Sequence, residues 1–257
     1  MTPTHPAPGS PTPTTTLHVW RIPRRALPRA LWRMASDPRR LRREPGTRFV
    51  KLLGTGRGAD FGAGAGDLTR WAAVTVTDGP PPPFPGWARI AEASCRIALR
   101  PLITRGTWAG VEPFEATGSS DARWDGPVLA LTRARLRPSR APAFWRAIGP
   151  AARPLADTPG LVAAFGIGEA PLGWQGTVSL WRSAADLTGF AYRHPGHRGV
   201  IARTPIVGWY AEELFTRFAV LDVTGDPAVI GATIDGTGSA GLPMGRGDDA
   251  AGGLGAG

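Results

Sequence analysis

The chain has 257 residues with 30 basic and 20 acidic side chains, so its formal net charge is +10, and Lys51 is the only lysine. This bias towards arginine, alongside abundant Ala, Gly and Pro, indicates a GC-rich coding bias more than a polyanionic partner. A single cysteine, Cys95, excludes a disulfide framework and a cysteine-rich metal site. No apolar run approaches the roughly 18 residues of a membrane-spanning helix, and residues 1–16 lack the pattern of a secretory signal. We therefore expect a cytoplasmic protein.

Both ends of the chain predict disorder, because residues 1–16 are rich in Pro and Thr and residues 225–257 carry eleven glycines and no aromatic residue. The part between them divides into two repeats, 17–124 and 125–224. The first predicts helices at 26–35 and 86–94 and strands at 17–22, 49–53, 71–77 and 95–102. The second predicts helices at 141–148 and 184–192 and strands at 128–136, 161–167, 177–181 and 216–223. Each half thus has the order βαββαβ of a ferredoxin-like unit.

An internal repeat supports this duplication. Trp32 matches Trp145 at an offset of 113, and FVKLLGTG matches LVAAFGIG at an offset of 112, which places Gly54 on Gly166. Gly56 matches Gly168 in the same way. Glycines at equivalent strand ends indicate a bulge or a close backbone approach to the plane of a ligand. We predict an α+β fold of duplicated ferredoxin-like units packed sheet to sheet, with space for a flat apolar ligand.

The fourth predicted strand shows a period of two, with Cys95, Ile97 and Leu99 alternating with polar or small residues. This pattern predicts a half-buried strand. Cys95 is therefore expected in the core, and a nucleophilic role is disfavoured.

Two histidines follow the second repeat's last predicted helix. Pro195 disfavours helix at His194, so His197 is expected in the first turn of a new short helix. A neutral imidazole held there suits an axial haem ligand or another metal ligand, whereas a solvated or capping histidine is the alternative. A site of two histidines with Glu212 or Glu213 is a third option, which Pro195 disfavours. His18, in the first strand, is expected to be a partly buried strand histidine.

The remaining polar candidates are less specific. Glu212 and Glu213 are adjacent, so they would diverge on a helix, and their expected role is a solvated face or an ion pair with Arg217. The glycine run from Gly54 resembles a phosphate loop but lacks the Lys-Ser/Thr pair that such a loop requires. If haem is present, Arg198, Arg203 and Arg217 could pair with its propionates.

Several stretches taken together resemble the spheroidene monooxygenase family of the dimeric α+β barrel superfamily. They are FVKLLGTGRGADF, LRPLITRGTWAGVEPF, GPVLALTRARLRP, GIGEAPLGWQGTVSLW and GFAYRHPGHRGVIARTPIVGWYAEELFTRFAVL, spanning about 48 to 221. The resemblance implies a haem-dependent oxygenase that hydroxylates a linear carotenoid until a keto group results. It also implies O2, an electron donor such as a ferredoxin, and an iron ligand at His197.

On this basis we predict the site residues. The predicted cofactor-binding residues are His197, which also binds the metal, and Arg198, Arg217, Gly166 and Gly168. The predicted catalytic residues are Arg203, Trp209 and Glu213. A homodimer is left open.

Residues 24–43 form a basic amphipathic segment with eight arginines. It could contact an anionic membrane peripherally or form a solvated helix face, and nucleic acid is disfavoured because no recognised motif accompanies the charge.

Two alternative functions of the protein stay open. One is a cofactor-free α+β barrel oxygenase of an apolar aromatic substrate, and the other is a non-enzymatic module that binds membrane or nucleic acid.

Overall fold

The computed structural model describes residues 13–57, 66–116, 124–136, 158–169, 176–193, 210–232 and 242–245. Within these residues lie eight strands and three α-helices. The strands are β1 (Thr14–Arg21), β2 (Thr47–Gly56), β3 (Gly66–Thr77), β4 (Ala93–Gly106), β5 (Val128–Leu136), β6 (Leu161–Gly168), β7 (Gly176–Trp181) and β8 (Tyr210–Gly225). The helices are α1 (Leu27–Leu41), α2 (Pro85–Ile90) and α3 (Ala184–Arg193), with short 3-10 helices at Arg24–Ala26 and Pro227–Ile230.

The eight described strands close into one antiparallel barrel in the order β1-β3-β2-β6-β7-β5-β8-β4. The first four strands and the last four therefore form two continuous halves that meet at two seams. At one seam β2 pairs with β6 through Gly54↔Gly168 and Thr55↔Ile167, and at the other β4 pairs along most of β8. Because the edge strands of each half pair with each other, the two sheets share one interior and leave no open edge.

A single apolar cluster fills the barrel interior and takes residues from all eight strands. The predicted alternation along β4 is confirmed, because Cys95, Ile97 and Leu99 belong to this cluster while Arg96 is partly exposed. Burial raises the pKa of the Cys95 thiol to about 12. The thiol is therefore protonated at neutral pH, which confirms its expected place in the core.

Helices α1 and α2 cover the outer face of the first half. Beneath them, Trp20 and Trp71 pack with Phe84 and Trp87 in a second apolar cluster, and the rings of Trp20 and Trp87 stack with centroids 5.1 Å apart. Gly86 allows the two helices to approach, because a Cβ there would overlap the guanidinium of Arg33 on α1.

Helix α1 is longer than predicted. It continues through Pro38, a residue that ends many helices, as far as Leu41. Leu41 is fully buried in the outer cluster, and its burial accounts for the additional turn because tertiary packing outweighs local propensity.

Helix α3 covers the outer face of the second half. The Ser183 hydroxyl accepts a hydrogen bond from the Asp186 backbone N–H at 3.1 Å and donates one to the Asp186 carboxylate, as in a capping box. Beneath the helix, Trp181 packs against Phe190 with ring centroids 5.3 Å apart. The other helix predicted for this half, 141–148, lies outside the described residues.

The predicted disorder was wrong at the inner boundary of each terminus. Strand β1 begins at Thr14 and buries Thr15, because pairing with β3 and β4 satisfies its backbone. In the tail, Val229, Ile230 and Leu242 belong to the barrel cluster. These few apolar side chains anchor a segment that is otherwise rich in glycine, and they lie at the end of the barrel where β8 finishes.

Strand β8 begins six residues before the predicted start. Leu214, Thr216 and Phe218 are buried at every second position, so their side chains point into the barrel. Glu212 shares this inward parity, whereas Glu213 and Arg217 point outward. Glu212 and Glu213 therefore diverge, as predicted. They do so because neighbouring residues of a strand point to opposite faces, and not because they lie on a helix.

Candidate functional site

Four of the predicted site residues lie within the described chain, and all four lie on the outer face of the second half. Phe165 and Ile167 point into the barrel, so Gly166 and Gly168 face outward between and beside them. Arg217 and Glu213 face outward on β8. The other four predicted residues, His197, Arg198, Arg203 and Trp209, lie outside the described residues.

Small side chains lie on one side of Arg217 on this outer face, the side of β5. Arg217 is paired across the strands with Ala130 on β5, Ala130 with Ser179 on β7, and Ser179 with Ala164 on β6. From Arg217 to β6 the row therefore carries small side chains, whereas on the other side Arg217 is paired with Ile103 on β4.

The matching row of the first half carries larger side chains. His18 on β1 pairs with Ala73 on β3, and Ala73 pairs with Leu52 on β2. The His18 ring lies 4.9 Å from that of Phe84 and 5.7 Å from that of Trp20, measured between centroids. The two rows thus differ in the size of their side chains.

Arg217 has an unsatisfied donor. Its Nε is buried and has no hydrogen-bond partner within the part of the chain that the structure describes. A buried N–H of a guanidinium without an acceptor is costly, so this atom marks a place for an anionic or carbonyl group. The expected ion pair of Arg217 with Glu212 was wrong, because Glu212 points into the barrel.

Glu212 instead belongs to a partly buried ionic network inside one end of the barrel. Its carboxylate accepts hydrogen bonds from Arg133, from the Gly110 backbone N–H at 2.7 Å and from the Thr107 hydroxyl at 3.1 Å. Arg133 on β5 is only 5% exposed. It connects Glu212 to a second carboxylate, that of Glu169, directly after β6.

Glu169 completes the network from the other side. It accepts hydrogen bonds from Lys51 Nζ at 2.7 Å, from Trp108 Nε1 at 2.6 Å and from Arg133 Nε at 3.2 Å. The Arg133 guanidinium also lies over the Trp108 ring, 5.4 Å from its centroid. Two carboxylates, one guanidinium and one ammonium therefore balance in charge and satisfy each other.

The network keeps both carboxylates ionised. Burial acts to raise the pKa of Glu212, but the N–H of Gly110 and the Arg133 guanidinium outweigh it and lower that pKa to about 2. Burial likewise acts against the Glu169 anion, and the hydrogen bonds from Lys51 and Trp108 lower its pKa below the usual value.

This network lies at the end of the barrel where β4, β5 and β6 finish and β7 and β8 begin. Segments 137–157, 170–175 and 194–209 are attached to these strand ends, so the segment that contains His197 leads directly into β8 and Glu212. Sequence reasoning missed the network. One signal was present: Arg133 lies two residues after Leu131 in the period-two pattern of β5, on its inward face.

Within the described residues, no group of three or more His, Cys, Asp and Glu side chains could hold a metal ion. His18 is the described histidine, and burial followed by repulsion from Arg96 lowers its pKa to about 3. Its ring is enclosed by Trp20 and Phe84, as expected of a strand histidine. None of the helices in the described ranges is long and apolar enough to cross a membrane.

The fold defines the structural class of the protein. The described chain is a mainly β barrel with few helices, and it resembles the crystal structure of an aldoxime dehydratase with a TM-score of 0.50 at 11% identity, covering 81% of each chain. It is a barrel of the dimeric α+β type, as the sequence predicted. No protein-family profile matches the chain.

Sequence comparison defines the family within that class. The chain is 33% identical over 209 residues to a spheroidene monooxygenase of Rhodobacter capsulatus, covering 78% of this chain and 86% of that protein. It is 35% identical over 190 residues to a spheroidene monooxygenase of Rubrivivax gelatinosus, covering 71% and 72%. The chain belongs to the spheroidene monooxygenase family, which confirms the resemblance seen in its motifs.

Proposed function

We propose that the chain is a haem-dependent monooxygenase that introduces hydroxy and then keto groups into a linear carotenoid, using O2 and an external electron donor such as a ferredoxin. The observation that carries this proposal is the identity of 33–35% to two proteins named spheroidene monooxygenase. Their names favour an enzyme over a non-enzymatic binding module.

The reaction requires a balanced supply of electrons. One oxygen atom of O2 enters the C–H bond of the substrate as a hydroxyl group, and the other leaves as water. The donor supplies two electrons and solvent supplies two protons. A second hydroxylation at the same carbon gives a geminal diol, which loses water to form the keto group.

Part of the described outer face of the second half, the row that joins Arg217 to β6, supports the proposal of a flat anionic cofactor. Gly166 contributes no side chain, Ala130 and Ala164 contribute one methyl group each, and the unpartnered Nε of Arg217 requires an acceptor. A haem propionate would provide that acceptor in the fork geometry that guanidinium groups prefer.

The proposed roles follow from this placement. His197 would ligate the iron, Arg198 and Arg217 would hold propionates, and Gly166 and Gly168 would admit the plane of the macrocycle. When bound, haem supplies the activation of O2. Glu213, exposed on the face of Arg217, is proposed to pass protons from solvent towards the site. The proposed catalytic group is completed by Arg203 and Trp209.

The ionic network is proposed to support this site from inside the barrel. Arg133 and Glu212 fix the start of β8, which directly follows the segment containing His197. Their contribution would be positional, because they contact no group on the outer face.

We also propose that the two halves, 17–124 and 125–224, are duplicated ferredoxin-like units. Thr55 pairs with Ile167 at the β2–β6 seam, and these residues are separated by 112 positions, the offset of the sequence repeat. Residues related by the repeat therefore meet each other across the seam, as expected near a two-fold axis. The barrel closes within one chain, so its closure does not require a homodimer.

Oxygen labelling tests the proposed reaction. Purified protein reconstituted with haem, reduced ferredoxin and a detergent-dispersed linear carotenoid is incubated under 18O2, and the products are analysed by mass spectrometry. We expect label in a hydroxylated product, with boiled protein as the control. Turnover of an aromatic substrate by protein free of haem and metal would instead establish the cofactor-free alternative, and absence of any oxygenated carotenoid would contradict the proposal.

A further inference from the structure

Helix α1 exposes large apolar side chains on a strongly basic surface. Trp32 is 72% exposed and Leu31 is 46% exposed, and Trp32 is the most exposed of the large apolar side chains in the described chain. An indole is among the costliest side chains to leave in water. The sequence repeat matched Trp32 to Trp145, yet Trp32 does not enter the core.

The geometry of α1 places Trp32 away from the barrel. Ala30, which is fully buried against the sheet, precedes it by two residues, or about 200° around the helix. Arg29 lies about one turn before Trp32, and Arg39 lies about two turns after it. We define the α1 face as the exposed residues Arg29, Leu31, Trp32 and Arg39 of the helix, together with Arg25 in the 3-10 helix that precedes it.

The charge of this surface is uncompensated. Residues 24–44 contain eight arginines and two acidic side chains. Arg33 pairs with Asp37, and Arg40 pairs with Glu44. The other six have no ion-pair partner within the described ranges, namely Arg24, Arg25, Arg29, Arg39, Arg42 and Arg43.

We propose that the α1 face docks on an anionic lipid bilayer. Trp32 and Leu31 enter the interface at the level of the headgroups, where an indole finds both apolar contact and water. The arginines around them pair with lipid phosphates. The inference goes beyond the proposed reaction, because it concerns where the enzyme works and how an apolar polyene reaches it.

The composition of the face favours lipid over the other occupants. A second copy would bring two uncompensated arginine clusters together, and like charges at an interface oppose association. A nucleic acid backbone would pair with the arginines but would leave the Leu31 side chain in water. A bilayer accommodates both the charge and the apolar side chains.

Vesicle co-sedimentation of the full chain tests this inference. The vesicles contain phosphatidylcholine with about one-third phosphatidylglycerol, and pure phosphatidylcholine vesicles serve as the reference. We expect binding that requires phosphatidylglycerol and weakens with salt. Replacing Arg25, Arg29 and Arg39 with Gln should lower the partition coefficient about a hundredfold, since each arginine contributes about fivefold. Trp32→Ala should lower it about tenfold.

Matched variants control for charge and apolarity elsewhere. Arg57, Arg135 and Arg182 are exposed, and replacing these three with Gln should leave binding within about twofold. Leu68→Ala, at a site 57% exposed, should do the same. Melting curves establish that each variant is folded, and binding needs neither haem nor substrate, so a failed reaction leaves this test intact.

Three results would overturn the inference. The first is equal binding to both kinds of vesicle, or wild-type binding by the α1 variants. The second is a dimer that dissociates on Trp32→Ala while vesicles bind nothing. The third is duplex DNA binding that the arginine variant loses, again without vesicle binding.

Discussion

The outer faces of the two halves, whose strands we propose to correspond, carry side chains of different size at equivalent positions. On the first half Trp20 pairs with Trp71 across β1 and β3, and Trp20 is 3% exposed. On the second half the corresponding pair is Thr132 and Thr177, and Thr132 is exposed. At these positions the first face is filled by its own side chains, whereas the second presents small ones; elsewhere the second face buries Trp181 beneath α3.

We infer from this difference that the two halves have different roles. A filled face stabilises the fold, because each buried aromatic side chain contributes several kcal/mol. A face of small side chains with an unsatisfied guanidinium contributes less to stability and suits a ligand. Variants that exchange or remove the residues that set the two faces apart test this difference.

Truncating the filled face should have the largest effect. Trp20→Ala removes an indole that stacks on Trp87 and contacts Phe84, so we expect a loss of about 3–5 kcal/mol in the free energy of unfolding. Thr132→Ala, at the corresponding exposed position, should change it by less than about 0.5 kcal/mol. Urea denaturation measures both. Similar losses for the two variants would show that the faces do not differ in this way.

Filling the second face should weaken ligand binding at the proposed site. Thr132→Trp copies the first-half residue into the second half, and overpacking there should weaken haem binding by about 1–3 kcal/mol, or roughly ten- to a hundredfold. Haem titration followed by absorbance measures the affinity. Leu68→Trp, on the first half, is the control and should bind haem as wild type does. Undiminished affinity in Thr132→Trp would place the ligand elsewhere.

Removing the guanidinium should have a smaller effect. Arg217→Gln keeps a hydrogen-bond donor but loses the charge, so we expect haem affinity to fall about tenfold. Arg217→Lys should restore part of it. The same titration measures both variants, and an Arg217→Gln variant with wild-type affinity would contradict the assigned role.

Low pH should destabilise the protein, because His18 on the filled face binds a proton more readily in the unfolded chain. Its pKa is about 3 in the folded protein against 6.5 for the unperturbed group, so the unfolded chain binds the additional proton. The contribution of His18 to stability is complete above pH 6.5 and is lost as the pH falls towards 3. His18→Phe should show a flatter dependence of unfolding free energy on pH between these values. A dependence identical to wild type would contradict the burial of His18.

The interior network should respond in a lower and narrower pH range, which overlaps that of His18 below pH 4.5. Glu212 has a pKa of about 2 in the folded protein against 4.5 for the unperturbed group, so its contribution is present above pH 4.5 and is lost as the pH falls towards 2. Glu212→Gln should remove this part of the acid dependence and keep the part between 6.5 and 4.5 that belongs to His18. A loss of both parts would mean that the two groups are coupled.

The strands were predictable from the sequence because their signal is local. The alternation from Cys95 to Leu99 identifies a strand and both of its faces without reference to any other segment. The repeat offset predicts that β2 and β6 are equivalent, which stays a prediction, and Gly54 pairs with Gly168 where these strands meet.

The network and the tail were not predictable because their partners are distant or sparse. Arg133 lies 79 residues from Glu212 and 36 from Glu169, so only the closed barrel brings them together. In the tail, Val229 and Ile230 are two apolar residues in a glycine-rich segment, and the Asp226 side chain that accepts from the Ala228 N–H at 2.8 Å fixes their turn. The composition of the whole tail therefore does not reveal that two of its apolar residues anchor it.

The absorption spectrum of the purified, haem-reconstituted protein tests the central claim most directly. We expect a Soret band in the wild type, its loss in His197→Ala, and its retention in the matched variant His194→Ala. A wild type without a Soret band, or a His197→Ala variant with an unchanged one, would contradict the assignment of a haem ligated by His197.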